Sequence, residues 1–206
     1  SLMQLELSLV PLPPTLSLMA ISNFKKKIAV FLSGRGSNLK NLYKFSKTKP
    51  SKFTIHLVIS NKKDAKGILF SKSKKIKSHS IDKTMSEFEQ KSLSLISREN
   101  IDVICLAGFM RILSKGFVQK CKIPIINIHP SLLPKYKGLN THARAIENKD
   151  VYAGCTVHHV TSKLDAGTII LQKKVKILKK DTVATLSKKV LKVEHQIYPI
   201  ALNKIC

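Results

Sequence analysis

An apolar run that ends in a glycine-punctuated polar loop and then takes up helical spacing constrains this chain most. Residues 27–32 (KIAVFL) read as a buried strand. Ser33-Gly34-Arg35-Gly36-Ser37-Asn38 follows at once, and Leu39, Leu42, Tyr43 and Phe45 then recur at a helical period. Strand, glycine loop, helix is the arrangement that aims backbone N–H groups and a helix N-terminus at an anion. It is neither a dinucleotide fingerprint nor a Walker loop. Leu39 stands where a third glycine would, and the next strand (53–59) ends in Ser60-Asn61 with no ribose-binding acid. Two readings fit equally at this point: a monophosphate cradle, or a tight turn with Ser37 or Asn38 as helix cap.

The same alternation continues. Residues 61–75 read as helical, 77–81 as a short third strand, and 85–100 as a helix with Phe88, Leu93 and Ile96 inward. A fourth strand, 102–106 (DVICL), runs into the loop Ala107-Gly108-Phe109-Met110-Arg111-Ile112-Leu113, and 124–128 is a fifth. A short helix is expected at 141–148, a half-exposed strand at 154–161, a turn at Leu164-Asp165-Ala166-Gly167 and a strand at 168–177. Residues 182–204 read as one amphipathic helix with Val183, Leu186, Val190, Val193 and Ile197 on a face. Five strands with helical crossovers predict an α/β fold, a doubly wound and mostly parallel central sheet in a single domain.

Chemistry concentrates where the fifth strand ends. In INIHPSLLPKYKGLNTHAR (126–144), Asn127 and His129 are one residue apart and so share a face. The carboxyl end of a strand is where an α/β sheet holds ligands. Taken alone, His129 reads first as a hydrogen-bonded core histidine beneath a proline-stiffened loop, and only second as a functional group.

Charge and cysteine usage narrow the class. The net charge is +25, but it comes from 33 Lys against 4 Arg, scattered from Lys25 to Lys204. Clustered Arg is the signature of base and phosphate recognition. Spread lysines fit solvated faces better, and they would still steer anionic substrates. Cys105, Cys121, Cys155 and Cys206 have no metal-ligand spacing, which points to reduced thiols, a cytoplasmic protein, and no zinc site or disulfide framework. No apolar run is long enough to span a bilayer. Residues 1–24 carry three prolines, one acid and no base. They are expected to be a disordered or non-native extension, with Met19 a plausible start and 25–206 the folded catalytic unit.

These motifs carry a resemblance. GRGSN, LAGFMRIL, NIHPSLLPKYKGLNTHARAIE, GCTVHHVTSKLDAGTIILQ and VEHQIYP stand in the order and spacing of the phosphoribosylglycinamide formyltransferase family, from about Lys27 to Leu202. The resemblance implies a Rossmann-like formyltransferase fold. It also implies metal-free transfer of a formyl group from 10-formyltetrahydrofolate to the amine of glycinamide ribonucleotide. Its implied catalytic set is Asn127, His129 and Asp165. Gly36, Ser37, Asn38 and Glu194 would bind the substrate phosphate and ribose; Met110, Arg111, Ile112, Leu113, Asn127, Val160 and Asp165 would hold the folate. His142, His158 and His159 receive no catalytic role. Small-molecule partners are implied, with no nucleic acid and no membrane, for a monomer or homodimer. Two departures stand out. Met85 occupies a position where relatives often carry Arg, with Lys83 the nearby cation, and the chain stops at Cys206 where relatives usually continue. Methionyl-tRNA formyltransferases lack the GSN loop and add a tRNA-binding domain. Formyltetrahydrofolate hydrolases normally add a regulatory domain, and a nucleic-acid-binding module would rest on charge alone.

Overall fold

Successive side chains of one strand point into two separate cores, and the layering follows from that division. In the computed structural model, which describes residues 24–206, β1 (Lys26–Leu32) sends Ile28, Val30 and Leu32 into one hydrophobic cluster and Ala29 and Phe31 into another. All five are fully buried. A strand covered on both faces belongs in a parallel sheet between helices. The expectation for an N-terminal extension lies, apart from Phe24, outside the described residues.

The elements after β1 are α1 (Ser37–Ser46), β2 (Phe53–Ser60), α2 (Lys66–Ser73), β3 (Lys77–Ser80), α3 (Met85–Arg98), β4 (Val103–Leu106), α4 (Lys115–Lys120), β5 (Ile125–His129), α5 (Thr141–Glu147), β6 (Tyr152–His159), β7 (Ile169–Lys176) and α6 (Val183–Ile205). The sheet order is β3-β2-β1-β4-β5-β6-β7. The first five strands are mutually parallel, and β6 and β7 add antiparallel. Leu39 and Leu42 of α1 and Leu186, Val190, Ile197 and Tyr198 of α6 fill one core. Phe88, Leu95 and Ile96 of α3, with Phe117 of α4, fill the other. This is the doubly wound sheet that the strand–helix alternation predicts.

Several details differ from the sequence reading. Residues 61–65 form the turn out of β2, so α2 begins only at Lys66. Helix α4 was not anticipated; Ser114 caps it by accepting from the N–H of Phe117 at 3.0 Å. In α3, Leu95 is buried and Leu93 only half-buried. Strand β6 is buried from Ala153 to His158 rather than half-exposed, because it is flanked by β5 and β7 and packed under α6. Val183 is 47% exposed, since the first turn of α6 lies beyond the core that Leu186 enters. Met85 packs against the α3 core.

Phe31 meets Phe88 edge-on at 5.6 Å and Phe109 at 5.8 Å. Replacing it by Ala is expected to cost about 3–5 kcal/mol, measured by urea denaturation. A loss below about 1 kcal/mol would contradict a core built on this residue.

Candidate active site

Strand β5 delivers two polar side chains to its carboxyl end. Asn127 lies opposite His158 of β6, and His129 opposite Thr156. The turn after β6 then brings Asp165 back over this end, with its backbone in the left-handed region (φ 46°). One carboxylate oxygen of Asp165, Oδ2, accepts from the Gly138 N–H at 2.9 Å and lies 3.5 Å from His129 Nδ1. The other, Oδ1, lies 3.7 Å from His158 Nε2. The side chains of His129 and Asp165 are each only 7% exposed. The resemblance's catalytic trio is therefore assembled from two distant segments, and His158 joins it.

Hydrogen-bond chemistry fixes the histidines. A carbonyl only accepts, so His129 Nε2, at 2.8 Å from Tyr136 O, carries a hydrogen. By the same logic His158 Nδ1, at 2.9 Å from His159 O, is protonated and leaves Nε2 to face Asn127 Nδ2 at 3.5 Å. Burial pushes the His158 pKa down, partly offset by the His159 carbonyl and by Asp165. Burial, with some help from the charge of His129, does the same to His142, whose Nδ1 is buried without a partner. The loop after β5 is held firmly: Ser131 Oγ donates to Lys135 O (2.6 Å), the Leu133 N–H to Thr156 Oγ1 (3.1 Å), and Gln172 Nε2 to Leu133 O (2.7 Å). Beyond it, Tyr136 takes a positive φ of 54°, a costly conformation for such a residue, and Asn140 one of 57°, which asparagine tolerates.

The glycine loop makes a second centre. Gly36, at φ 72°, is the N-cap of α1, and no side chain caps the helix. The alternative of a Ser37 or Asn38 cap is thereby overturned, and the N–H groups of the first turn stay free. Asn38 turns inward instead and donates to Glu194 Oε2 at 2.9 Å, leaving its own Oδ1 buried and unpartnered. Burial raises the Glu194 pKa from 4.5 to about 7, against the lowering effect of Asn38. One turn later on α6, the Tyr198 hydroxyl lies 2.8 Å from Leu106 O and 3.2 Å from Ile126 O. The helix that supplies Glu194 is thus pinned to the end of β4 and the start of β5.

The apolar loop after β4 is the third part. Ser33 ties it to β1 by donating its N–H to Gly108 O (3.0 Å) and accepting from the Met110 N–H (2.8 Å). Met110 and Ile112 are exposed, Arg111 and Val160 are half-buried, and Leu113 belongs to the core beside α3. Arg111 Nη1 donates to Lys83 O at 3.1 Å. Sequence reasoning missed His158, Ser33 and Tyr198. For His158 a signal existed: alternation from Thr156 puts it on the face that meets Asn127.

Comparison with known proteins bears on the family and the fold. Residues 26–202 match the family model described as formyl transferase. The chain is 43% identical over 185 residues to the human trifunctional purine biosynthetic protein adenosine-3, of which it spans only 18% while 88% of this chain is covered. It is 41% identical over 180 residues to phosphoribosylglycinamide formyltransferase of Escherichia coli (strain K12), covering 85% of each chain. The crystal structure of phosphoribosylglycinamide formyltransferase from Brucella melitensis superimposes with a TM-score of 0.83 at 38% identity, covering 88% of this chain and 95% of that one.

Glu194 supports a stability prediction. Its folded pKa lies above the unfolded value, so stability is fully present below about 4.5 and is lost as pH rises through about 7. Glu194→Gln is expected to be more stable than the wild type at pH 8, by a few kcal/mol at most. That advantage should shrink toward pH 4.5 in urea titrations, and a gap that does not change with pH would contradict the assignment.

Proposed function

The chain belongs to the formyl transferase family, and from that premise we propose that it transfers the formyl group of 10-formyltetrahydrofolate to the amine of glycinamide ribonucleotide, giving the N-formyl product and tetrahydrofolate in purine biosynthesis. The observation that carries this reading is the buried His129–Asp165 pair beside Asn127 at the end of β5.

The amine attacks the formyl carbon and negative charge builds on its oxygen. The Asn127 amide and an N–H of His129 are the donors suited to that oxyanion, and one such donor is typically worth about 10²–10³ in rate. Asp165 orients His129 and accepts, through water, the proton that the attacking amine sheds. Collapse of the tetrahedral intermediate then breaks the bond between the formyl carbon and N10 of the folate, and that proton returns through the same water to N10 as tetrahydrofolate leaves. His129 Nε2 is engaged by Tyr136 O in the ligand-free chain. The incoming formyl oxygen replaces that carbonyl, and the strained backbone at Tyr136 is the element that gives way. His158, whose pKa burial lowers, stays neutral and through its Nε2 lone pair accepts from the Asn127 amide, which orients that donor.

The free N–H groups at the start of α1, at Gly36, Ser37 and Asn38, suit the substrate phosphate. Glu194 suits the ribose hydroxyls, and the exposed Met110 and Ile112 with Arg111 suit the folate. Residues 25–206 are the catalytic unit in this reading, with 1–24 an extension. It acts on small molecules in the cytoplasm, as a monomer or homodimer and without a bound metal. The relatives' names favour this over a hydrolase or a tRNA-directed formyltransferase. Turnover of 10-formyltetrahydrofolate that did not need the ribonucleotide would return the hydrolase reading.

His129→Ala and Asp165→Asn are each expected to lower kcat by about two or more orders of magnitude with an unchanged circular dichroism spectrum. Near-normal kcat in the His129 variant would sink the mechanism. Ionised Glu194 is the form that accepts from hydroxyls. KM for the ribonucleotide should therefore fall as pH rises through about 7, and Glu194→Gln should flatten that profile.

A further inference from the structure

A cavity of about 330 Å³ opens between the β1–α1 and β2–α2 loops, with Asp82 from the loop after β3 closing one side. Its volume falls at the lower end of the range for small-molecule sites, about 300–1,000 Å³. Arg35, Lys62, Lys63 and Lys66 line it together with Asp64 and Asp82. Among the described residues, none of these six takes part in an ion pair. The proposed transfer reaction uses none of them. We infer that this cavity is a second binding site, built for a phosphorylated ribose such as that of a nucleoside monophosphate.

The walls are fixed before any ligand arrives. The Gly67 N–H donates to Gly34 O at 3.1 Å, and Ser33 Oγ donates to Asn61 Oδ1 at 2.6 Å. A Cβ on Gly36 would come within 2.9 Å of Gly67 Cα, so the two loops touch backbone to backbone. The N-terminus of α2 lies beside this space; its N-cap, Ala65, offers no capping side chain, and the Gly67 and Ile68 N–H groups are already engaged by Gly34 O and Ala65 O.

The lining selects the chemistry. Four cations in a concavity favour a phosphate, and guanidinium and ammonium groups bind it by charge-assisted hydrogen bonds. Two carboxylates in the same wall repel a bare polyanion but accept well from vicinal hydroxyls. A phosphorylated sugar satisfies both sets, whereas inorganic phosphate or a neutral sugar satisfies only one. The cavity opens outside the carboxyl ends of β1 and β2, beside the switch point between β1 and β4 where such sheets commonly hold ligands but not at it. It is also separate from the catalytic centre. The cavity lies on the β2 side of β1, while Asn127 and His129 sit on β5, with β4 in between.

Calorimetric titration of the full chain with 5′-AMP, with the ribonucleotide substrate absent or saturating, tests the inference. AMP is expected to bind once per chain and to remain bound when the substrate is saturating. Arg35→Ala/Lys63→Ala should weaken AMP by about ten-fold or more while formyl-transfer kcat stays within about two-fold. The charge-matched pair Lys173→Ala/Lys174→Ala on β7 should leave AMP affinity nearly unchanged. Asp64→Asn/Asp82→Asn should weaken AMP but not inorganic phosphate. Absence of AMP binding, its displacement by the substrate, or equal weakening by the β7 control would each overturn the site. Binding is read as heat, so its failure is distinguishable from a failure of the transfer activity.

Discussion

Burial of the sheet on both faces is the constraint from which the rest of the molecule follows. With Ile28, Val30 and Leu32 against one helix layer and Ala29 and Phe31 against the other, the interior of β1 has no room for chemistry. In the parallel strands, buried polar side chains stand where the strands run out. Asn127 and His129, Ser33, and Ser60 with Asn61 all stand at carboxyl ends, and each is held by hydrogen bonds rather than by apolar packing. One buried hydroxyl reinforces this arrangement. Tyr198 reaches through the α6 core to the carbonyls of Leu106 and Ile126, and so sets the height of the helix relative to the two strands that flank the reaction centre.

Two buried acids in a chain of net charge +25 show how environment divides labour. Asp165 has an N–H donor in Gly138 and two imidazoles within 4 Å. Glu194 has the Asn38 amide alone, and burial lifts it to about 7. The first arrangement suits a group that handles protons beside a reacting amine; the second suits an acceptor for hydroxyls that arrive with the substrate. Placing two titratable groups in unlike settings is a general way to separate such roles.

Much of this was legible in the chain. The strand–loop–helix unit at residues 27–45 and the alternation after it specify the doubly wound sheet, because period-two and period-3.6 patterns differ over such lengths. The shared face of Asn127 and His129 follows from strand geometry alone. What was not legible has physical causes. Asp165 meets His129 only because β6 runs antiparallel to β5 and the turn after it folds back, which no local pattern encodes. Glycine at position 36 ends as a left-handed N-cap because Asn38 finds a buried partner on α6, and that partner is invisible from the loop. Val183 fits the helical stripe yet lies beyond the core, since periodicity assigns a face but not where coverage stops. Helix α4 is a single short turn-and-a-half, too brief for periodicity to register, although Ser114 was an available cap.

The Asn38–Glu194 hydrogen bond spans 156 residues of sequence, and that distance has a consequence for how the protein is made. During synthesis the β5–β6 pairing and the Asp165 turn can form as soon as those segments emerge, since their contacts are comparatively local. The first helix must wait for α6, which follows on the order of seconds later at ordinary elongation rates. Until then Asn38 has no carboxylate to meet and the face of β1 that α6 will cover is bare. The nascent chain therefore can bring His129 and Asp165 together before Asn38 and Glu194 have met, and its exposure to chaperones or to misassociation should be greatest in that interval.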